Sequence, residues 1–227
     1  MTEHKAQRKR RVRRRSRTVF EVRSPMSGRV RVVDHRRERR LLVGGDTLSV
    51  YPLDGDWSPV RREYWWRALA AIELPSRPSA LFVGLGGGTQ IHLLRRLARP
   101  RLITVIERDP AIVRIADDWF GLGAVGPMEI FCAEATVAVR ALACAGRRFD
   151  FVMEDAAYAE EPGRALTLAR ALVPLIAPRG ALMLNRHRRG DARCAAAALR
   201  SRFREVRVRL VGRGAENTLV SCHGPLR

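Results

Sequence analysis

Long apolar stretches are absent from this 227-residue sequence. No run approaches the ~18–20 apolar residues that a membrane-spanning helix needs, so we predict no membrane partner. The basic N-terminus is followed by the strand-like segment Thr18–Val22 and not by the apolar core of a secretory signal. We therefore expect a cytoplasmic protein, and its hydrophobic fraction of 46% is ordinary for a globular one.

Paired cysteines and clustered histidines are also missing. The four cysteines show no C-x-x-C spacing, and the five histidines show no H-x-x-x-H spacing. In a cytoplasmic chain, isolated cysteines are expected to be buried or half-buried thiols and not disulfides. The sequence therefore predicts neither a disulfide framework nor a metal site. The cysteines are Cys132, Cys144, Cys194 and Cys222.

Lysine is nearly absent, since Lys5 and Lys9 are the only two, and the net charge of +20 comes almost entirely from arginine. Residues 1–17 carry nine positive side chains against Glu3 alone, which predicts a solvated basic tail. Such a tail can bind nucleic acid through its phosphates. However, arginines continue through every predicted helix and loop without interleaved aromatics, as a genome-wide compositional bias would produce. Both interpretations stay open.

The most informative segment is Leu81–Pro110. Its pattern is a buried strand, a glycine-rich turn, a helix, a second buried strand and an acidic residue at the end of that strand. Gly84, Gly86 and Gly88 allow the backbone to pass close to a ligand. Glu107 lies where a carboxylate would hold the diol of a ribose. This order of elements predicts a nucleotide-type site.

The glycine spacing narrows the ligand class. Thr89 occupies the position where a dinucleotide-binding G-x-G-x-x-G motif needs its last glycine, and no second mononucleotide-binding half is evident. An adenosyl ligand such as S-adenosylmethionine is therefore favoured over a pyrophosphate dinucleotide.

The remaining pattern divides the chain into three parts. After the tail, residues 18–60 contain short β-type runs that predict a small antiparallel hairpin or three-stranded sheet, followed by a loop over Tyr51–Pro59. Residues 61–227 begin with a helix over Arg61–Leu74, whose aromatic residues we assign to the core or to a lid over the sheet, with stacking on a ligand as the alternative. Strands and helices then alternate up to a closing antiparallel pair, which predicts a parallel sheet covered by helices on both faces.

In such a sheet the ligand lies beyond the carboxyl ends of the strands. The residues at those ends are Gly84–Gly88, Glu107, Glu134 and Asp155. Glu134 can accept a hydrogen bond from an adenine amino group, while the Cys132–Ala135 backbone meets the ring edge. It can equally cap the helix that follows, and the sequence leaves both roles open.

Two further acids need assignment. Glu154 and Asp155 are adjacent on a strand and therefore point to opposite faces. Asp155 begins the loop, so we assign it to the pocket, where it could accept a proton from an amine or pair with a cationic sulfonium. Its alternative role is to hold a nearby arginine. Asp109 precedes Pro110, a favoured first residue of helices, and is assigned to helix capping.

Six segments in order resemble the spermidine synthase family, the polyamine aminopropyltransferases, over roughly Val19–Cys222. They are the hairpin VRSPMSGRVRVVDH, the glycine turn, the E-x-D-P of Glu107–Pro110, and the segments ADDWFGL, CAEA and VMEDAAY. The resemblance implies an α/β fold, a Rossmann-like doubly wound sheet of the class I methyltransferase type with a small N-terminal β-hairpin or sheet.

The resemblance also implies a chemistry. The co-substrate would be S-adenosylmethionine or its decarboxylated form, with no metal, and the acceptor would be a small molecule, an amine. Glu134 and Ala135 stand at the family's adenine contact, and Asp155 and Tyr158 stand in its catalytic loop. A homodimer is a further implication.

This chain departs from the family at the polyamine side. Thr89 replaces the aspartate that grips the aminopropyl amine, Tyr158 replaces the second catalytic-loop aspartate, and Met26-Ser27 replaces a tyrosine–glutamine pair. Because a polyamine is a multiple cation, losing two acids should weaken its binding by roughly several kcal/mol.

Three hypotheses follow. The first is aminopropyl transfer from the decarboxylated ligand, with Asp155 as the base. The second is methyl transfer from S-adenosylmethionine, whose carboxylate would face Thr89 and the adjoining helix N-terminus. The third is a non-catalytic adenosyl-binding or nucleic-acid-associated module.

Overall fold

The computed structural model describes residues 16–156, 162–187, 189–211 and 217–226. Within these ranges the chain forms two sheets, a four-stranded one near the N-terminus and a seven-stranded one. No helix of the described part is long and apolar enough to cross a membrane.

The small sheet is antiparallel, with its strands paired in chain order. Sequence analysis predicted at most three strands here, and that prediction was wrong. The fourth strand includes Tyr51 and Pro52, which had been assigned to a loop; Val50 and Pro52 are buried, which holds this end of the strand in the sheet. The strands are β1 (Arg17–Ser24), β2 (Gly28–His35), β3 (Glu38–Val43) and β4 (Asp46–Pro52).

The segment that links the two sheets is less helical than predicted. A short 3-10 helix, Ser58–Arg62, begins with Pro59 in its first turn. The α-helix α1 then covers only Tyr64–Ala70. The two are separate because Glu63 between them has an extended backbone. The predicted helix over Arg61–Leu74 was therefore too long at both ends.

The large sheet has the strand order β10-β11-β9-β8-β5-β6-β7. Five strands run parallel, and the β9–β11 and β11–β10 pairs are antiparallel. The strands are β5 (Ser79–Val83), β6 (Leu102–Glu107), β7 (Met128–Cys132), β8 (Phe149–Glu154), β9 (Ile176–Arg186), β10 (Phe203–Val211) and β11 (Asn217–Pro225). The helices are α2 (Thr89–Leu97), α3 (Pro110–Phe120), α4 (Ala135–Cys144), α5 (Pro162–Leu172) and α6 (Arg189–Leu199).

Helices cover the large sheet on both faces. Alternate residues of β5 belong to two separate apolar clusters, since Phe82 packs with α1–α3 and the small sheet, whereas Leu81 and Val83 pack with α4–α6. This alternation follows from the period-2 geometry of a strand. The prediction of an α/β, doubly wound sheet with a small N-terminal β sheet is thereby confirmed.

Two smaller predictions need correction. The sequence pattern predicts a helix over Gly163–Ile176, but α5 ends at Leu172, because a 3-10 turn containing Pro174 leads directly into β9. The cysteines were expected to be buried or half-buried, but only Cys222 is; burial raises the pKa of its thiol to about 12. The other three, Cys132, Cys144 and Cys194, are exposed.

Candidate functional site

A cavity of about 800 Å³ lies beyond the carboxyl ends of the parallel strands, between the large sheet and the small one. Eight of the nine candidate residues predicted from the sequence line it. The ninth, Tyr158, lies outside the described residues. Convergence of segments from β5, β6, β7 and β8 at one edge is what the parallel arrangement dictates. The eight residues are Gly84, Gly86, Gly88, Thr89, Glu107, Glu134, Ala135 and Asp155.

The glycine turn is packed against other parts of the chain as well as facing the cavity. Gly86 has φ +53, and a Cβ built there would lie 2.6 Å from the hydroxyl oxygen of Ser49 on β4. That hydroxyl accepts a hydrogen bond of 2.7 Å from the Gly87 N–H. At Gly84, φ is +94 and a Cβ would lie 3.2 Å from the Asp155 backbone. Close packing and backbone geometry therefore both require glycine in this turn.

Thr89 joins the start of α2 to the small sheet. Its buried hydroxyl donates to the carbonyl oxygen of Val50 and accepts from the Val50 N–H, both at 2.9 Å. The hydroxyl proton is therefore committed to β4. The prediction that Thr89 contacts the ligand stays a prediction, and its hydroxyl has no further proton to donate.

Asp109 is the cap that the sequence predicted. One carboxylate oxygen accepts from the Ala111 N–H at 2.9 Å at the start of α3. The other accepts from the Ser24 hydroxyl at 2.5 Å, which fixes the end of β1 to the large sheet. These bonds lower the pKa of the Asp109 carboxyl against the opposing effect of burial.

Glu107 ends β6 beside the glycine turn. One of its oxygens accepts from the Leu85 N–H at 3.0 Å and the other from the Asp109 N–H at 2.9 Å. Burial raises the pKa of Glu107, and the backbone donors partly oppose that shift. The carboxylate is therefore held in a fixed orientation, and its remaining lone pairs are available to the hydroxyls of a ribose.

Glu134 does not cap α4 through its side chain. It occupies the N-cap position, yet its carboxylate makes no capping hydrogen bond and lies half-exposed on the cavity wall. The Arg108 guanidinium is 4.0 Å away. Of the two roles left open by the sequence, capping is excluded by this geometry.

Asp155 is fixed in the cavity by hydrogen bonds from two side chains. Its carboxylate accepts from the Tyr64 hydroxyl and from the Asn185 side-chain amide, both at 2.8 Å. Burial raises the pKa of Asp155 to about 6, although both hydrogen bonds act in the opposite direction. An acid with a pKa near neutrality can both accept and release a proton under physiological conditions.

Sequence reasoning missed Tyr64 and Asn185. Tyr64 was assigned to the core, to a lid or to stacking on a ligand, and nothing local indicates that its hydroxyl has a partner 91 residues away. Asn185 is near the end of β9, so the rule that places ligands at strand carboxyl ends could have identified it.

Glu154, unlike its neighbour Asp155, does not line the cavity. Its carboxylate is fully buried and pairs with the Arg186 guanidinium at 2.5 Å, whose own exposure is 4%. Arg186 also donates to the carbonyl oxygen of Asn185 at 2.7 Å. The contact with Arg186 is made by Glu154, although the Arg186 charge also lowers the pKa of the Asp155 carboxyl.

Gln90, next to Thr89 in the first turn of α2, also lines the cavity and was not predicted. Its side chain is 7% exposed, and its amide nitrogen has no hydrogen-bond partner among the described residues. Buried donors without an acceptor are uncommon, because each costs about 1–3 kcal/mol of desolvation.

No protein-family model matches the chain. Among curated proteins, the eEF1A lysine and N-terminal methyltransferase of Danio rerio is 29% identical over 126 residues, which cover 51% of this chain and 18% of that protein. The chain thus spans less than a fifth of the length of this relative.

Among solved structures, spermidine synthase from Thermotoga maritima superposes with a TM-score of 0.69 at 14% identity, covering 92% of this chain and 73% of that one. The chain has the spermidine synthase fold. Human Methyltransferase-like protein 13 in complex with SAH is also similar, with a TM-score of 0.62 at 22% identity, covering 71% of this chain and 82% of that one. The fold implied by the six sequence segments, of the class I methyltransferase type, is therefore confirmed.

Proposed function

We propose that this protein is a transferase that binds an S-adenosylmethionine-type sulfonium ligand and moves one of its carbon groups to an amine nitrogen. The observation that carries the proposal is the position of Asp155. It lines the same cavity as the glycine turn and Glu107, and Tyr64 and Asn185 fix its carboxylate. Structural relatives of this fold include enzymes of both aminopropyl and methyl transfer.

The ligand-binding half would use three groups of the cavity wall. The glycine turn would lie along the ligand, the Glu107 carboxylate would accept from its ribose hydroxyls, and Glu134 with the Ala135 backbone would meet the adenine. The Glu107 and Glu134 carboxylates place acceptors at the cavity that match the ribose hydroxyl and adenine amino donors of an adenosyl group. A sulfonium is an activated leaving group, so the proposed transfer calls on no metal.

In the transfer step, the nitrogen lone pair attacks a carbon bonded to the sulfonium. The carbon–sulfur bond breaks, its electron pair moves to sulfur, and the ligand becomes a neutral thioether. The nitrogen carries the positive charge until it releases a proton, and Asp155 is the proposed acceptor. Tyr64 and Asn185 would orient the Asp155 carboxylate before the substrate binds. Binding would then cost this side chain little conformational entropy.

Other sequence-based expectations stay predictions. These are the homodimer, the role of Tyr158 and nucleic-acid binding by the basic tail, whose residues 1–15 lie outside the described part of the chain.

Glu107→Gln is expected to weaken binding of S-adenosylhomocysteine about tenfold, because it removes the charge and one acceptor beside the ribose. Isothermal titration calorimetry measures the change in Kd. Glu129→Gln is the matched control, since Glu129 lies on the neighbouring strand β7 and bonds to Thr104 and Arg147 outside the cavity. An unaltered Kd in Glu107→Gln, or an equal loss in both variants, contradicts the assigned role.

The pKa of Asp155 gives a second test that requires no acceptor. In the free protein its carboxyl is expected to titrate with a midpoint near pH 6, so the proton-accepting carboxylate predominates above that pH. The hydrogen bond from Tyr64 lowers this pKa. Tyr64→Phe should therefore move the midpoint upward, as followed by the pH dependence of the Asp155 carboxyl carbon shift in NMR spectra. A downward or absent shift would show that the bond is not made in solution.

A further inference from the structure

The first turn of α2 carries two polar side chains that differ in how they are satisfied. The Thr89 hydroxyl exchanges two hydrogen bonds with the Val50 backbone. The Gln90 amide nitrogen has no partner among the described residues, although its side chain is more than nine-tenths buried. Both residues line the cavity. Of these two side chains, only Gln90 therefore has a donor without a hydrogen-bond partner among the described residues.

The backbone at the start of α2 also favours a ligand group that accepts hydrogen bonds. In α2, Gly88 is the N-cap, so the N–H groups of the first helical turn have no acceptor within the helix. The aligned peptide dipoles place partial positive charge at this end. Neither Thr89 nor Gln90 adds a negative charge, and the first turn contains no acidic residue. This end of α2 thus suits an anion, and the acidic residues of the cavity wall belong to other elements.

S-adenosylmethionine and its decarboxylated form differ in the part of the molecule that would contact the first turn of α2. S-adenosylmethionine carries an α-carboxylate there, whereas the decarboxylated ligand carries only an ammonium group. A carboxylate can accept from the Gln90 amide and from the first-turn N–H groups. An ammonium has no acceptor to offer them and would be repelled by the helix end.

We propose that Gln90 and the N-terminus of α2 bind the α-carboxylate of S-adenosylmethionine, so that the group transferred by this protein is methyl. This inference rests on the proposed function and adds to it the identity of the co-substrate. The acceptor nitrogen would attack the methyl carbon, the S–CH₃ bond would break toward sulfur, and the products would be S-adenosylhomocysteine and a methylated amine. The released proton would pass to Asp155.

Calorimetric titration with S-adenosylmethionine and with its decarboxylated form tests the proposal. The full chain should bind S-adenosylmethionine at least tenfold more tightly. Gln90→Glu places a negative charge beside the carboxylate site, so it should weaken S-adenosylmethionine at least tenfold and leave the decarboxylated ligand unchanged or tighter. Gln90→Met, which adds no charge, should weaken only S-adenosylmethionine and provides the same comparison if the acidic variant does not fold.

Leu97→Glu is the matched control, because it introduces the same acid into the same helix at a 43% exposed position outside the cavity. It should leave both affinities unchanged. Tighter binding of the decarboxylated ligand by the wild-type chain would overturn the inference while leaving the proposed transferase function intact. Equal weakening of both ligands by the Gln90 variants would also overturn it, since it would indicate a structural role. Binding of neither ligand would reject the proposed function itself.

Discussion

Asp155→Asn is expected to reduce group transfer by about 10²–10⁴-fold while leaving the Kd for S-adenosylhomocysteine within twofold of wild type. The substitution removes the proton acceptor but keeps an oxygen that can accept from Tyr64 or Asn185, so the local structure should survive. The measurement is release of the thioether product from S-adenosylmethionine or its decarboxylated form. Butane-1,4-diamine, lysine and a peptide with a free N-terminal glycine serve as acceptor probes.

Asp118→Asn controls for the loss of one negative charge, because Asp118 is exposed on α3 and lies outside the cavity. It should retain full activity. Transfer by Asp155→Asn at more than a fifth of the wild-type rate would remove Asp155 from the chemistry. Loss of ligand binding together with transfer would instead make Asp155 a ligand contact, for instance the counter-ion of the sulfonium.

Arg186→Met is expected to lower the free energy of unfolding by about 3–5 kcal/mol at pH 7. The reason is that Glu154 would be left as a fully buried carboxylate without its guanidinium partner. Desolvation of an unpaired charge is costly, and protonation of Glu154 would relieve only part of that cost. Urea unfolding followed by circular dichroism gives the change directly.

The double variant Glu154→Leu with Arg186→Met separates the charge effect from lost packing. Replacing both ions with apolar side chains should recover most of the stability, because a buried ion pair contributes little net stabilisation once its desolvation is included. A double variant as unstable as Arg186→Met alone would show that the packing of the arginine, and not the uncompensated charge, determines the loss.

The fold could be predicted from sequence to a large extent because its signals are local. Alternating strand and helix patterns, the glycine turn and the acid at the end of β6 all lie within short windows of sequence. The errors fell where local signals conflict. The fourth strand of the small sheet runs directly into a turn-rich segment, and the proline-containing 3-10 helix before α1 carries a helical pattern without being an α-helix.

The candidate site was predicted only in part, for a different reason. The carboxyl-end rule located Glu107, Glu134 and Asp155 because topology alone places them at one edge. The hydrogen bonds that give them their properties join distant segments, as Tyr64 with Asp155 does. Gln90 had no distinguishing pattern, since its significance comes from burial without a partner.

Among the described residues, the hydrogen bonds that join the small sheet to the segments around the large one include Ser24 with Asp109, Ser49 with Gly87, Thr89 with Val50, and the Arg39 guanidinium with the Trp119 carbonyl oxygen. Two of these contacts fall on the glycine turn and the start of α2, so the sheet forms an outer wall of the cavity, and moving it away would break both contacts. The two sheets also share one apolar cluster. They should consequently unfold in a single cooperative transition, and a fragment starting after β4 would have its glycine turn unsupported.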